Sequence, residues 1–248
     1  SSHHIKDLVL CALRYGKPNL TICKQLREFL NSDLSSINEK IETVKALSLM
    51  GNEEKKYLAN SYYPQISADN KIDYRLEVSL IKKLYPDYLC AEDISNLILK
   101  VACTNKSVFG GELWNFYKII LQHHLVEVIE QTIKRLLDNK DNISDDATYE
   151  IRDFLNSAIS LALEKSLFSD HKQVWKWLHY LYIFPHNGIR PLDNDSIKGW
   201  VSKNFEIVES VFEYSFSLYD TPSRWDWDFN RVFGYPYTSE QLISGFFK

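Results

Sequence analysis

The chain has 248 residues, 45% hydrophobic and 25% charged, with 29 Lys plus Arg against 33 Asp plus Glu and a net charge of -4. This is the composition of an ordinary globular chain, long enough to bury a core without disulfides or metal. The acidic balance disfavours a module that works by neutralising phosphates, and no run of Lys and Arg exceeds a pair, as at Lys55-Lys56 and Lys82-Lys83.

Apolar residues recur at helical spacing almost throughout, and eight glycines and seven prolines are too few for the turns of an all-β chain. The expected class is all-α: antiparallel helix pairs forming an irregular α-solenoid or a helical bundle, with about a dozen helices and mostly short connections. The opening Ser1-Ser2-His3-His4 resembles the scar of an affinity tag and is set aside. Residues 5–15, 20–27 and 36–49 then read as three successive helices, with a break at Gly16-Lys17-Pro18 and a close on Gly51. Such a trio resembles a winged-helix or helix-turn-helix core, which places a compact unit at 5–65 and a longer helical array at 70–248. The third helix carries Glu39, Lys40, Glu42 and Lys45, which sum to zero, so its charge does not suit a DNA backbone.

Ser36 with Glu39 forms a capping-box pattern, and Tyr63-Pro64 and Gly110-Gly111 read as breaks. Leu113, Phe116, Tyr117, Ile120 and Leu121 trace one helical stripe. Leu125, Val128, Ile129, Ile133, Leu136 and Leu137 trace the next, with Glu127, Glu130, Lys134 and Arg135 opposite. From 145 to 168 the apolar residues, among them Ile151, Phe154, Leu155, Ala158, Ile159 and Leu161, cover most of a helix's circumference. That is the mark of a central helix. Asp170 with Gln173 starts another helix, the stretch Pro185 to Gly188 breaks it, Ile207, Val208, Val211 and Phe212 repeat the stripe, and Ser239 precedes a last start.

Cys11, Cys23, Cys90 and Cys103 lie outside CxxC spacing and in apolar contexts, so the sequence predicts core thiols rather than a metal or redox site. NxS/T triplets at Asn19, Asn105, Asn142 and Asn194 follow no signal peptide. A reducing, cytoplasmic setting is expected, and no apolar run reaches the roughly 20 residues that span a bilayer.

Three places invite chemistry. His123-His124 with Glu127 sets an imidazole and a carboxylate four apart on one helical face, a spacing that suits a metal. No further ligands are named by the sequence, and a solvated or capping pair is the simpler account. Asp226-Trp227-Asp228 superficially resembles the DxD site of glycosyltransferases but lacks the α/β setting that site requires. Trp225, Trp227, Phe229, Phe233, Tyr235 and Tyr237 fall within thirteen residues. They read as a core plug or, with Arg224 and Arg231, as a partner surface of the Trp, Tyr and Arg type that anchors interfaces. The phosphate loop, GxGxxG, GxSxG, kinase and HExxH patterns are absent. No catalytic, cofactor or metal residue is assigned.

The run from Leu84-Tyr85-Pro86-Asp87-Tyr88 through Ile98, then Val108 to Phe116, then Leu125 to Leu137, joins an acidic helix start, a Gly turn into an aromatic helix and a Leu-rich helix. In this it resembles the helical region that follows the nucleotide-binding core of bacterial STAND NTPases of the NACHT-like group. The three-helix start is then similar to the winged-helix domain those proteins carry. The resemblance spans about residues 60–165, loosely, and the NTPase core itself lies outside the chain. It implies a non-catalytic scaffold or sensor region of a larger cytoplasmic signalling or antiphage NTPase, needing no cofactor and binding protein partners or other domains of its parent. A nucleic-acid module built on the first helices, or an enzyme with an unrecognised site, are the alternatives.

Overall fold

The computed structural model describes residues 19–69, 73–103, 113, 115–144, 148–183, 194–220 and 232–233, and it is all-α: no strand occurs among the described residues. The expected helix at 5–15 lies outside the described residues, of which the first helices are α1 (Leu20–Leu30) and α2 (Ile37–Leu49). Asn19 caps α1 by accepting from the Thr21 and Ile22 amides, at 2.9 and 3.4 Å. Ser36 and Glu39 close the anticipated capping box: the Ser36 amide donates to Glu39 Oε2 at 2.7 Å, and the Glu39 amide to Ser36 Oγ at 3.3 Å. Gly51, at φ +125°, turns the chain from α2 into α3 (Asn52–Tyr57).

Tyr63-Pro64 does not break the chain as its residues suggested. From α3 the backbone runs through a π-helical turn (Leu58–Tyr62) into α4 (Tyr63–Ala68). Proline has no N–H and its ring crowds the carbonyl four residues back. Widening the preceding turn accommodates this, and the Tyr63 amide donates to Leu58 O, five residues back. Arg27 fastens α1 to this rod, with both arms 2.7 Å from the Glu54 carboxylate and its guanidinium 4.4 Å from the Tyr57 ring centre.

Next come α5 (Tyr74–Leu84) and α6 (Ala91–Ala102). Every residue of α5 from Leu76 to Ile81 is buried, Glu77 and Ser79 among them, and the helix lies between α2, α4 and α6. Against α6 packs α7 (Gln122–Asp138), with Ser95 and Thr132 fully buried at the seam and Arg135 paired with Glu92 at its rim, 2.7 Å. The small side chains Ala91, Ser95 and Ala102 on α6 allow that close approach.

The stripe from Leu113 to Leu121 is not an α-helix. It yields a single 3-10 turn, Phe116–Ile119, preceded by Asn115 in the left-handed region (φ 60°) and followed by extended Ile120. Aromatic and β-branched residues are weak helix formers, and burying Phe116 6.4 Å from the Phe154 ring outweighs helical spacing here.

The predicted central helix is α8 (Thr148–Glu164). Ile151, Phe154, Leu155, Ala158, Ile159, Ala162 and Leu163 are buried and Leu161 partly so, against α6, α7, α9 (His171–Ile183) and α10 (Asp195–Lys203). It ends in a Schellman motif: Ser166 is left-handed, its amide donates to Leu163 O, and the Leu167 amide donates to Ala162 O. Asp170 and Gln173 start α9 as expected, the Gln173 amide donating to Asp170 Oδ1 at 2.9 Å. Asn194 caps α10, so two of the sequon asparagines are helix caps. The last described helix is α11 (Phe205–Ser217), antiparallel to α9, with His171 set edge-on to Tyr214 at 5.7 Å.

Counting α3, the π-turn and α4 as one rod, each helix packs chiefly on those one or two places away in the chain. The apolar cluster nonetheless runs unbroken from Cys23 to Phe233.

Candidate functional site

The polar stripe Asp93, Asn96, Lys100 and Cys103 on α6 faces the end of α4 and the start of α5 across a cleft of about 390 Å³, with Tyr63, Ser67 and Glu77 on the far wall. Lys100 has three N–H donors, and the structure gives each an acceptor: Glu77 Oε2 at 2.8 Å, Ile66 O at 3.1 Å and Ser67 O at 3.3 Å. Both carbonyls lie at the C-terminal end of α4, where the helix dipole favours a cation, and Ile66 O also accepts from the Asp69 amide at 3.3 Å. Side-chain exposure is 14% for Lys100 and 2% for Glu77, so the pair is shielded from solvent. Burial pushes the Glu77 carboxyl above its ordinary range, and the Lys100 hydrogen bond and charge offset only part of that. Asp93 is engaged too, accepting from the Cys90 amide at 2.8 Å and the Cys90 thiol at 3.3 Å. This cleft is therefore a three-helix staple whose charged groups are already occupied.

A second polar node joins α7 to α9. The Glu130 carboxylate accepts from Trp177 Nε1 at 2.6 Å, from Gln173 Nε2 at 3.1 Å and from Lys176 Nζ. Burial pushes this carboxyl up, but the hydrogen bonds from Lys176, Trp177 and Gln173 more than reverse that and hold it below its ordinary value. A smaller cleft of about 260 Å³ lies over Leu113 and Phe154, walled by Asn115, Tyr117, Asp153, Asn156 and Ser157. Desolvation holds the Asp153 carboxyl above its usual range there.

His123 is exposed, whereas His124, His171 and His179 pack against aromatic neighbours. His124 Nδ1 lies 2.7 Å from the Tyr85 hydroxyl, which also accepts from the Leu121 amide at 3.3 Å at the start of α7. Glu127, the suspected co-ligand, accepts instead from Gln131 Nε2 at 2.9 Å. His179 stacks on Trp175 at 5.1 Å. Among the described residues no three His, Cys, Asp or Glu side chains come together as a metal site.

Two of the three described thiols depart from expectation. Cys23 is buried, whereas Cys90 and Cys103 are exposed because they sit at the two ends of α6, where the chain leaves the core; Cys11 lies outside the described residues. On α2, Glu39 is held in the capping box and Glu42 pairs with Lys45 at 2.8 Å. No described helix is long and apolar enough to cross a membrane.

The residues singled out as a partner surface, Arg224, Trp225, Trp227, Arg231, Tyr235 and Tyr237, lie outside the described residues, as do Asp226, Asp228, His186 and Ser239. Two of their neighbours are described and both are buried: Val232, and Phe233, whose ring stacks on Trp175 at 6.4 Å. At those two positions the segment joins the core. Sequence reasoning missed Glu77, Lys100 and Glu130. A signal existed for Glu77, which precedes Ile81 and Leu84 at i+4 and i+7 and so sits within an apolar stripe. Nothing local marks its partner, 23 residues away.

Compared with known proteins, the chain matches no family, no curated protein and no solved structure.

Proposed function

We propose that the chain is a non-catalytic helical scaffold that binds protein partners, as the arm or sensor-side region of a larger cytoplasmic STAND-type signalling or antiphage NTPase. The observation that supports the scaffold reading is the order of packing: helices contact near neighbours in the chain, as an irregular α-solenoid would require. Such arrays present extended surfaces and transmit rigid-body rotation between their ends. The occupied state of Lys100, Glu77 and Glu130 supports the same reading, because these charged groups are engaged in joining helices. The STAND assignment rests on the residue patterns between about 60 and 165 alone.

Two measurements test this reading. Reading the parent gene upstream of this region checks the family: a phosphate-loop domain there is expected, and an open reading frame beginning at this chain overturns the assignment. Binding of the purified chain to the protein that co-purifies with it, beside a screen for turnover, checks the scaffold. Saturable protein binding without turnover is expected, and turnover without any protein binding overturns it.

A further inference from the structure

The cleft over Leu113 and Phe154 differs from the other two polar sites in that its polar groups have no partners. Asp153, Asn156 and Ser157 stand at i, i+3 and i+4 on α8 and so share one face of it. Across from them come Asn115 and Tyr117, carried by the short segment that stands where a helix was expected. Among the described residues, none of these five side chains makes a hydrogen bond or an ion pair. Tyr117 has only Lys118 over its ring, at 5.8 Å. Shielded carboxylates elsewhere are matched: Glu54 accepts from Arg27, Glu77 from Lys100 and Glu130 from Lys176. The charged neighbour of Asp153 is Arg152, whose guanidinium stands instead over the Tyr149 ring at 4.9 Å. Desolvation keeps the Asp153 carboxyl above its ordinary range, so its ionised form lacks the stabilisation that a partner would supply.

We propose that this cleft binds a small hydroxylated primary amine, with Asp153 as the counter-charge to its ammonium. This goes beyond the scaffold reading and does not depend on it. A half-buried carboxylate without a partner is satisfied by a cation that brings several N–H donors with it. One carboxylate matches the single charge of an ammonium, whereas a calcium ion gathers roughly six to eight oxygens, several of them anionic. No three His, Cys, Asp or Glu side chains meet among the described residues to supply such a set. The rest of the wall is neutral and both donates and accepts, through the amides of Asn115 and Asn156 and the hydroxyls of Ser157 and Tyr117. Hydroxyl groups on the ligand do the same, so each can be met in either sense. Leu113 and Phe154 offer apolar surface to its carbon frame. A volume of about 260 Å³ lies below the roughly 300–1,000 Å³ of sites for drug-sized ligands, and so calls for a compact molecule about the size of a hexose.

The test titrates the full chain with glucosamine and with glucose, which differ only in an ammonium replacing one hydroxyl. Heteronuclear NMR follows the side-chain amide signals of Asn115 and Asn156, at slightly acid pH where the amine is charged. Both signals should shift saturably with glucosamine, and glucose should bind at least about tenfold more weakly, the worth of a hydrogen bond to a charged group. Butylamine, charged but without hydroxyls, should be weaker than glucosamine by at least about threefold. Asp153→Asn keeps the shape and removes the charge, so it should bring glucosamine down to the level of glucose. Asp138→Asn, at an exposed position on α7, should bind as the wild type does. Further acidification should weaken glucosamine as Asp153 takes up a proton, and leave glucose unchanged. No shift with either sugar, equal binding of the two, butylamine as tight as glucosamine, or an equal loss in Asp138→Asn would each overturn the proposal. The comparison of ligands on the wild-type chain decides even where a variant fails to fold. No arm involves a protein partner, so failure here leaves the scaffold reading standing.

Discussion

Lys100 shows how a single side chain can join three helices. It neutralises Glu77 on α5, donates to two carbonyls at the end of α4, and belongs itself to α6. Removing one member of a shielded pair leaves a charge without compensation, whereas replacing both by apolar residues of similar size can be neutral. Lys100→Met should therefore lower stability by about 3–5 kcal/mol in a denaturant titration, and adding Glu77→Leu should recover a large part of it. Equal losses for the single and double variants would show that the pair is not the staple. Glu130 behaves differently. Its folded-state pKa lies below the reference 4.5, so its stabilising contribution is present above that pH and is lost as pH falls through the lower folded value. Glu130→Gln should accordingly flatten the acid limb of the stability–pH curve, measured by thermal unfolding from neutral to acid pH. An unchanged limb would mean that the node adds nothing.

At the scale of the element, local chemistry sets the boundaries. Gly51 occupies a backbone region close to glycine's alone, φ +125° and ψ 179°, yet no atom lies within 4 Å of where a Cβ would stand. Gly51→Ala thus isolates backbone strain from crowding and should destabilise by about 1–3 kcal/mol, read as a fall in the denaturation midpoint at constant slope. Signals of this short range were legible in the sequence. The Ser36–Glu39 and Asp170–Gln173 starts lie where the residues placed them, and the all-round apolar stretch in 145–168 became the central α8. Features decided by distant contacts were not. Pro64 widens a helix instead of ending it, because the two buried tyrosines just before it, Tyr62 and Tyr63, hold the rod against the core. The Leu113–Leu121 stripe gave way to a 3-10 turn because Phe116 had a partner in α8. The Glu77–Lys100 and Glu130–Trp177 contacts join positions 23 and 47 apart, and no spacing rule reaches so far.

Across the whole molecule, the sequential order of packing predicts how disturbance spreads. Leu80 is fully buried in α5, which lies against α2, α4 and α6. Leu80→Ala should cost about 2–5 kcal/mol locally. In an array of near-neighbour contacts, hydrogen exchange should accelerate in α2 and α4–α6 and stay near wild type in α9–α11. Uniform acceleration would describe a single cooperative bundle instead. An array of this kind suits a relay between domains, since one end can respond while the other stays ordered.

The central claim is that the chain works by holding another protein. It is tested most directly by calorimetric titration of the full chain with the protein that co-purifies with it, followed by hydrogen exchange of the complex. The account predicts saturable binding with protection gathered on one continuous helical surface. The contradicting result is no heat of binding and no change in exchange with any protein, alongside steady conversion of a small-molecule substrate.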